Sequence, residues 1–169
     1  MAKGRKIIVT TEPKGQFLEG IISGTPKPGT LMEQTSAALV GGRHTYQAIT
    51  RATGAKGPVF VLLEDDLQGI LGVGAALSPG GNTPGTAYVS GSRGFLYAPI
   101  AGEDLNMIVA SVSGTADDVA IGDLFVGETS TGKLKANSSN TSAPFQAQET
   151  ITDPTADYLL WCTYLGNQA

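Results

Sequence analysis

The sequence predicts a mostly β fold with many turns and little helix, and three observations predict it. The apolar runs are short and rich in β-branched and aromatic residues, a composition that suits a pleated, half-buried surface. The 23 glycines and 9 prolines are spread along the chain rather than gathered in one tract, which marks turns between many short elements and not a disordered linker. No window of a dozen residues keeps a 3.6-residue apolar period free of glycine and proline, so helix is confined to one or two short turns.

Taken in order, strands are predicted over 6–11, 17–23, 30–34, 46–51, 59–64, 87–90, 94–99, 107–112, 124–128, 133–136 and 158–164. In the last of these Tyr158, Leu160, Cys162 and Tyr164 alternate with Leu159, Trp161, Thr163 and Leu165. Both faces are largely apolar, which predicts burial on both sides, inside the subunit or between subunits. Trp161 is therefore a candidate subunit or partner contact. Helical turns are predicted at 65–71 and at Gly102-Glu-Asp-Leu105, where acidic residues suit a first turn. Residues 72–85, with Pro79-Gly-Gly-Asn-Thr-Pro-Gly85, and 136–142, rich in Ser, Thr and Asn, read as loops. Two segments echo each other, Lys27-Pro-Gly-Thr-Leu-Met-Glu33 and Ala120-Ile-Gly-Asp-Leu-Phe-Val126. Each sets a tight turn before an alternating strand, and the echo reads as turn chemistry and not as a duplication.

A chain of 169 residues fits one β domain over 1–169, with 1–6 as a flexible basic arm. At 41% hydrophobic and 15% charged, it is apolar enough to fold and sparing enough of charge that a partner is expected to cover part of its surface. The charge is polarised: residues 1–57 hold eight Lys/Arg against three Asp/Glu, and residues 58–169 hold three against twelve. The basic residues are dispersed apart from Lys3, Arg5 and Lys6, which argues against a nucleic-acid partner. One cysteine, Cys162, permits no internal disulfide and no cysteine metal cluster. Behind the basic start only Ile7, Ile8 and Val9 precede polar residues, too few for a signal-peptide core. No apolar run reaches the roughly 18 residues that would cross a bilayer, so no membrane partner is expected.

Gly127-Glu-Thr-Ser-Thr-Gly132-Lys133-Leu134 has the glycine and lysine spacing of a phosphate-binding loop. It lacks the Ser or Thr that holds Mg²⁺, and no helix follows it, so it reads as a β-hairpin turning at residues 130–133. His44, the only histidine, lies in Gly41-Gly-Arg-His-Thr-Tyr46 and reads as a structural or surface residue, since a catalytic base needs a nucleophile within hydrogen-bond reach. Cys162 reads as a buried small hydrophobe with no flanking charge to lower its pKa. Glu64-Asp65-Asp66, Glu103-Asp104 and Asp117-Asp118 lack the spacing of a Ca²⁺ loop and read as solvated turn residues. No catalytic, cofactor or metal residue is therefore assigned. The basic Lys3, Arg5 and Lys6, running into Ile7 and Ile8, read either as an arm that adds to a neighbour's sheet or as a frayed end. These five residues and Trp161 form the candidate contact set.

The phrases Gly20-Ile-Ile-Ser-Gly-Thr-Pro-Lys-Pro-Gly-Thr-Leu-Met-Glu33, Val59-Phe-Val-Leu-Leu-Glu-Asp-Asp-Leu-Gln-Gly69, Ala87-Tyr-Val-Ser-Gly-Ser-Arg-Gly-Phe-Leu-Tyr97 and Ile121-Gly-Asp-Leu-Phe-Val126 with Thr131-Gly-Lys-Leu134 together resemble the head decoration, or structural cement, proteins of tailed bacteriophages. The resemblance spans roughly residues 15 to 165. It implies a small β-barrel or β-tulip-like body with long Gly/Pro-rich loops, often trimeric, made in the host cytoplasm and set on the outer surface of the capsid. Its partners there are the major capsid protein and further copies of itself. The family carries no active site to transfer. A carbohydrate-binding β-module, a small β-barrel enzyme using Asp65 or Asp117, and a phage tail subunit stay open as alternatives.

Overall fold

A computed structural model describes residues 6–50, 58–65, 84–110, 118–137, 143–152, 154 and 156–166. Among the described residues there are ten strands and no helix. They are β1 (Gln16–Ile22), β2 (Leu31–Gln34), β3 (Thr45–Ala48), β4 (Phe60–Leu62), β5 (Arg93–Ala98), β6 (Asp104–Val109), β7 (Leu124–Gly127), β8 (Leu134–Ala136), β9 (Phe145–Ala147) and β10 (Tyr158–Tyr164). The mainly β class that the sequence predicts is what the chain adopts.

The strands close into two five-stranded barrels that follow each other along the chain, β1-β3-β2-β4-β5 and β6-β8-β7-β9-β10. Each contains one parallel pair, β1 with β3 and β6 with β8, and every other pairing is antiparallel. The registers also run in step around both rings. Ile22 faces Tyr46 as Val109 faces Leu134; Met32 faces Ala48 and Phe60 as Phe125 faces Ala136 and Phe145. Leu62 faces Leu96 as Ala147 faces Cys162, and Leu96 faces Leu18 as Cys162 faces Leu105, which closes the circuit. The single β domain that the sequence predicts is thus internally double.

This explains the echo. Residues 27–33 and 120–126 lead into β2 and β7, equivalent strands of the two barrels. Gly29 and Gly122 both hold positive φ, 90° and 97°, a conformation that glycine adopts without the Cβ penalty. Their N–H groups donate to the equivalent carbonyls, Leu62 at 2.8 Å and Ala147 at 2.9 Å. The turn chemistry is real, but it sits at matching places of a structural repeat, which corrects the reading as turn chemistry alone.

Closing a barrel turns alternate side chains inward. In the first, Ile22, Met32, Tyr46, Phe60, Leu62, Tyr88 and Leu96 form one apolar cluster. Leu105, Val109, Phe125, Leu134, Phe145, Ala147 and Cys162 are buried at the second. Leu31, Val61 and Tyr97, on the outer face of the first barrel, belong to the same cluster as the second barrel's interior, so the two barrels share a core. Backbone bonds stitch the junction: Leu31 N donates to Gly132 O at 2.7 Å, Ser130 N to Ile49 O at 2.8 Å and Ile108 N to Gly29 O at 3.1 Å.

Four elements differ from the sequence reading. Residues 6–11 make a single bridge, Ile8 to Leu105, and no strand. Residues 87–90 run without a strand ladder, Tyr88 N donating to Pro26 O instead. Gly102 is in a turn and β6 starts at Asp104, so 102–105 is not a helical turn. β9, three residues long, falls where no strand is predicted. The helical turn at 65–71 and the loop at 72–85 lie, apart from residues 65, 84 and 85, outside the described residues, as do 138–142 of the second predicted loop.

Candidate interaction surface

The N-terminal segment lies against the start of β6. Asn106 N donates to Ile7 O at 2.7 Å and Val9 N to Asp104 O at 3.0 Å. Side chains reinforce it, Asn106 Nδ2 donating to Lys6 O at 2.6 Å and Asp104 N to Thr10 Oγ1 at 2.8 Å. Ile7 is 2% exposed, and Ile8 is partly buried against the same core. From residue 6 onward the segment adds to a sheet of its own chain, because β6 offers it an edge where β8 pairs only at Val109. Of the candidate contact set, Ile7 is taken up internally, Lys6 is exposed, and Lys3 and Arg5 lie outside the described residues.

Trp161 is on the outer face of β10 and remains 37% exposed. Its N–H donates to Glu149 Oε1 at 2.7 Å, and its carbonyl accepts from Gln148 N at 2.9 Å. The indole is therefore displayed from a fixed backbone. Cys162 points the other way and is fully buried. Burial, with the charges of Asp104 and Glu149, pushes its thiol far up, and a thiol that stays protonated is inert.

A surface that the sequence reading misses is the tip of the β2–β3 hairpin. Residues 36–44 are all exposed, and Leu39 and Val40 show 55% and 54% of their surface. Val40 and Arg43 exchange both backbone bonds, at 2.9 and 3.1 Å, around Gly41 and Gly42. Two successive positive φ values, 56° and 77°, are the signature of a tight primed hairpin turn. At its base Arg43 pairs with Glu19, and Gln34 Nε2 lies 3.0 Å from His44 Nδ1. The sequence signal for it is the apolar Ala37-Ala-Leu-Val40 ahead of a Gly-Gly turn.

The segment with phosphate-loop spacing is the β7–β8 hairpin, as the sequence predicts. Thr131 Oγ1 donates to Glu128 Oε2 at 2.7 Å, and Lys133 Nζ pairs with Asp157 at 2.6 Å. Beside it an open cleft of about 380 Å³ runs between the barrels, lined by Ser23, Thr25, Thr30, Ser130, Lys27 and the Lys133–Asp157 pair among others.

Two acids expected to be solvated are buried. Asp65 and Glu103 are 5% and 4% exposed. Burial alone would raise the Glu103 carboxyl. The Tyr97 hydroxyl and the N–H groups of Ile100, Lys14 and Gly15 outweigh that and hold it below the ordinary carboxylate value. Every one of these is a structural bond between the approach to β1, the end of β5 and the start of β6. Among the described residues, no three His, Cys, Asp or Glu side chains are grouped to hold a metal ion.

A scan against models of protein families finds no match for this chain, and a search of curated proteins finds none either.

Proposed function

We infer that the protein is a structural virion component that decorates the outside of an assembled phage capsid and stabilises it by bridging major capsid proteins. The observation that carries the reading is a double barrel, locked through a shared core, that displays Leu39, Val40, Ile121 and Trp161 from tight turns and strand faces. Apolar side chains held on fixed backbone make good anchors, because little conformational freedom is left to lose on binding. Many identical contacts over one shell then add by multivalency. The phrase-level resemblance to phage cement proteins points the same way.

The test is co-sedimentation of the purified protein with cognate capsids, together with the thermal release of their contents. Saturation at a fixed number of copies per shell and a higher release temperature are expected. A protein left in the supernatant overturns the reading. The hydroxyl-lined cleft favours one alternative, a carbohydrate-binding module, for which glycan binding without capsids is the distinguishing result.

A further inference from the structure

The internal repeat makes it possible to ask which contacts of one barrel the other lacks. The β7–β8 hairpin of the second barrel is docked: its Gly132 carbonyl and Ser130 N–H engage Leu31 and Ile49, at the start of β2 and just beyond β3. Beside that contact Pro28, Gly29 and Thr30 are buried. The equivalent hairpin of the first barrel, β2–β3, is longer, ten residues against six; Arg43 and His44 still bond to β1 through Glu19 and Ile21 N, but beyond them residues 36–42 are all exposed.

The receiving surface is repeated as well. Register places Leu124 and Asn137 where the first barrel has Leu31 and Ile49, and Asn137 N donates to Leu124 O at 2.8 Å as Ile49 N donates to Leu31 O at 3.0 Å. The turn beside it, Ile121-Gly-Asp123, is exposed where Pro28-Gly-Thr30 is buried, and Ile121 is the most exposed large apolar residue among the described residues, at 67%. One copy therefore carries an uncovered hairpin tip and an uncovered seat, each with apolar side chains.

We propose that the β2–β3 hairpin tip of one copy docks on the Ile121 turn and β7 start of a second copy, repeating between chains the contact that the β7–β8 hairpin makes within one. Charge favours it. Residues 16–98 are balanced, five Lys/Arg against five Asp/Glu, and residues 104–164 hold two against eight. The hairpin loop, residues 35–44, holds no carboxylate and carries Arg43, whose partner Glu19 lies behind it on β1, so it approaches a turn flanked by Asp118 and Asp123 without like-charge repulsion, and such complementarity speeds and orients association. Two different surfaces meet, so the contact is head-to-tail and generates a closed ring or an open chain. It deepens the self-association in the capsid reading but rests on the repeat alone: solution mass tests it without capsids, and co-sedimentation tests the capsid reading separately.

The experiment is light scattering over a concentration series of the intact chain and of two variants, Leu39→Asp with Val40→Asp, and Ile121→Asp. All three positions are exposed, so folding, checked by circular dichroism, is expected to be unchanged. The unsubstituted protein should show the mass of several chains, and each variant at least a tenfold weaker association. An equal mixture of the variants should give a two-chain species and stop there, because each retains one working face. A single-chain mass for the unsubstituted protein, variants that associate as it does, or a mixture that stays single-chain overturns the proposal.

Discussion

The Tyr97 hydroxyl donates to the buried Glu103 carboxylate at 2.6 Å and accepts from Gly15 N at 2.7 Å. Burial, reinforced by that carboxylate, pushes the tyrosine pKa up to about 12, while Glu103 is lowered from 4.5. A carboxyl whose pKa is lower folded than unfolded stabilises the fold above its unfolded value, and that contribution is lost as pH falls through the folded value. Acid should therefore weaken the bonds that Glu103 makes between the two barrels. Glu103→Gln is expected to cost about 2–3 kcal/mol at neutral pH, as for loss of hydrogen bonds to a charged group. It should also flatten the fall of the urea midpoint below about pH 4.5. An acid limb as steep as that of the unsubstituted protein would assign it to other carboxylates.

The first barrel packs Tyr46 against the missing side chain of Gly20, where an added Cβ would strike the ring. At the equivalent places the second barrel has Leu134 and Met107, a smaller residue opposite a larger one. Gly20→Met alone overpacks, at about 1–3 kcal/mol, and Tyr46→Leu alone leaves unfilled space. The double substitution should recover at least about 1 kcal/mol against the sum, since touching residues couple. A denaturant double-mutant cycle measures it, and strict additivity would mean that the two sites do not share their volume as the register implies.

That exchange of volumes is also why the repeat was not legible in the sequence. Leu18 and Leu105 match in identity, but Tyr46 and Leu134, or Gly20 and Met107, preserve only a place in the ring. What the chain does announce is local: β-branched and aromatic runs bounded by glycine, which locate nine of the ten described strands to within a few residues. β9 escaped because three residues, Phe145-Gln-Ala147, carry no period, and its Phe145 is held by tertiary contacts with Phe125 and Tyr164. Glu103 escaped because its partners, residues 14, 15, 97 and 100, are gathered only by the fold.

The N-terminal segment separates two roles for its isoleucines. With Ile7 buried in the chain's own core, Ile7→Ala should lower stability by about 2–5 kcal/mol, as for other buried aliphatic truncations. Lys6→Ala, at an exposed position, should stay within about 0.5 kcal/mol. Chemical denaturation of the isolated protein reads both. An Ile7→Ala protein as stable as the original would return Ile7 to the set of partner contacts.

Two glycines with positive φ allow backbone strain to be separated from docking. At Gly41, φ is 56° and an added Cβ meets nothing; at Gly132, φ is 67° and an added Cβ would strike the Leu31 carbonyl and the Thr30 methyl. Gly41→Ala therefore measures the conformational cost alone, about 1 kcal/mol or slightly more. Gly132→Ala carries a similar cost and also forces the β7–β8 hairpin off the first barrel, where its carbonyl accepts from Leu31 N at 2.7 Å. The Gly132 variant should be less stable by at least about 1 kcal/mol more, the scale of one lost buried hydrogen bond. It should also exchange the Leu31 amide hydrogen faster while the Gly41 variant does not. Equal losses in the two variants would mean that the hairpin contributes nothing to holding the barrels together.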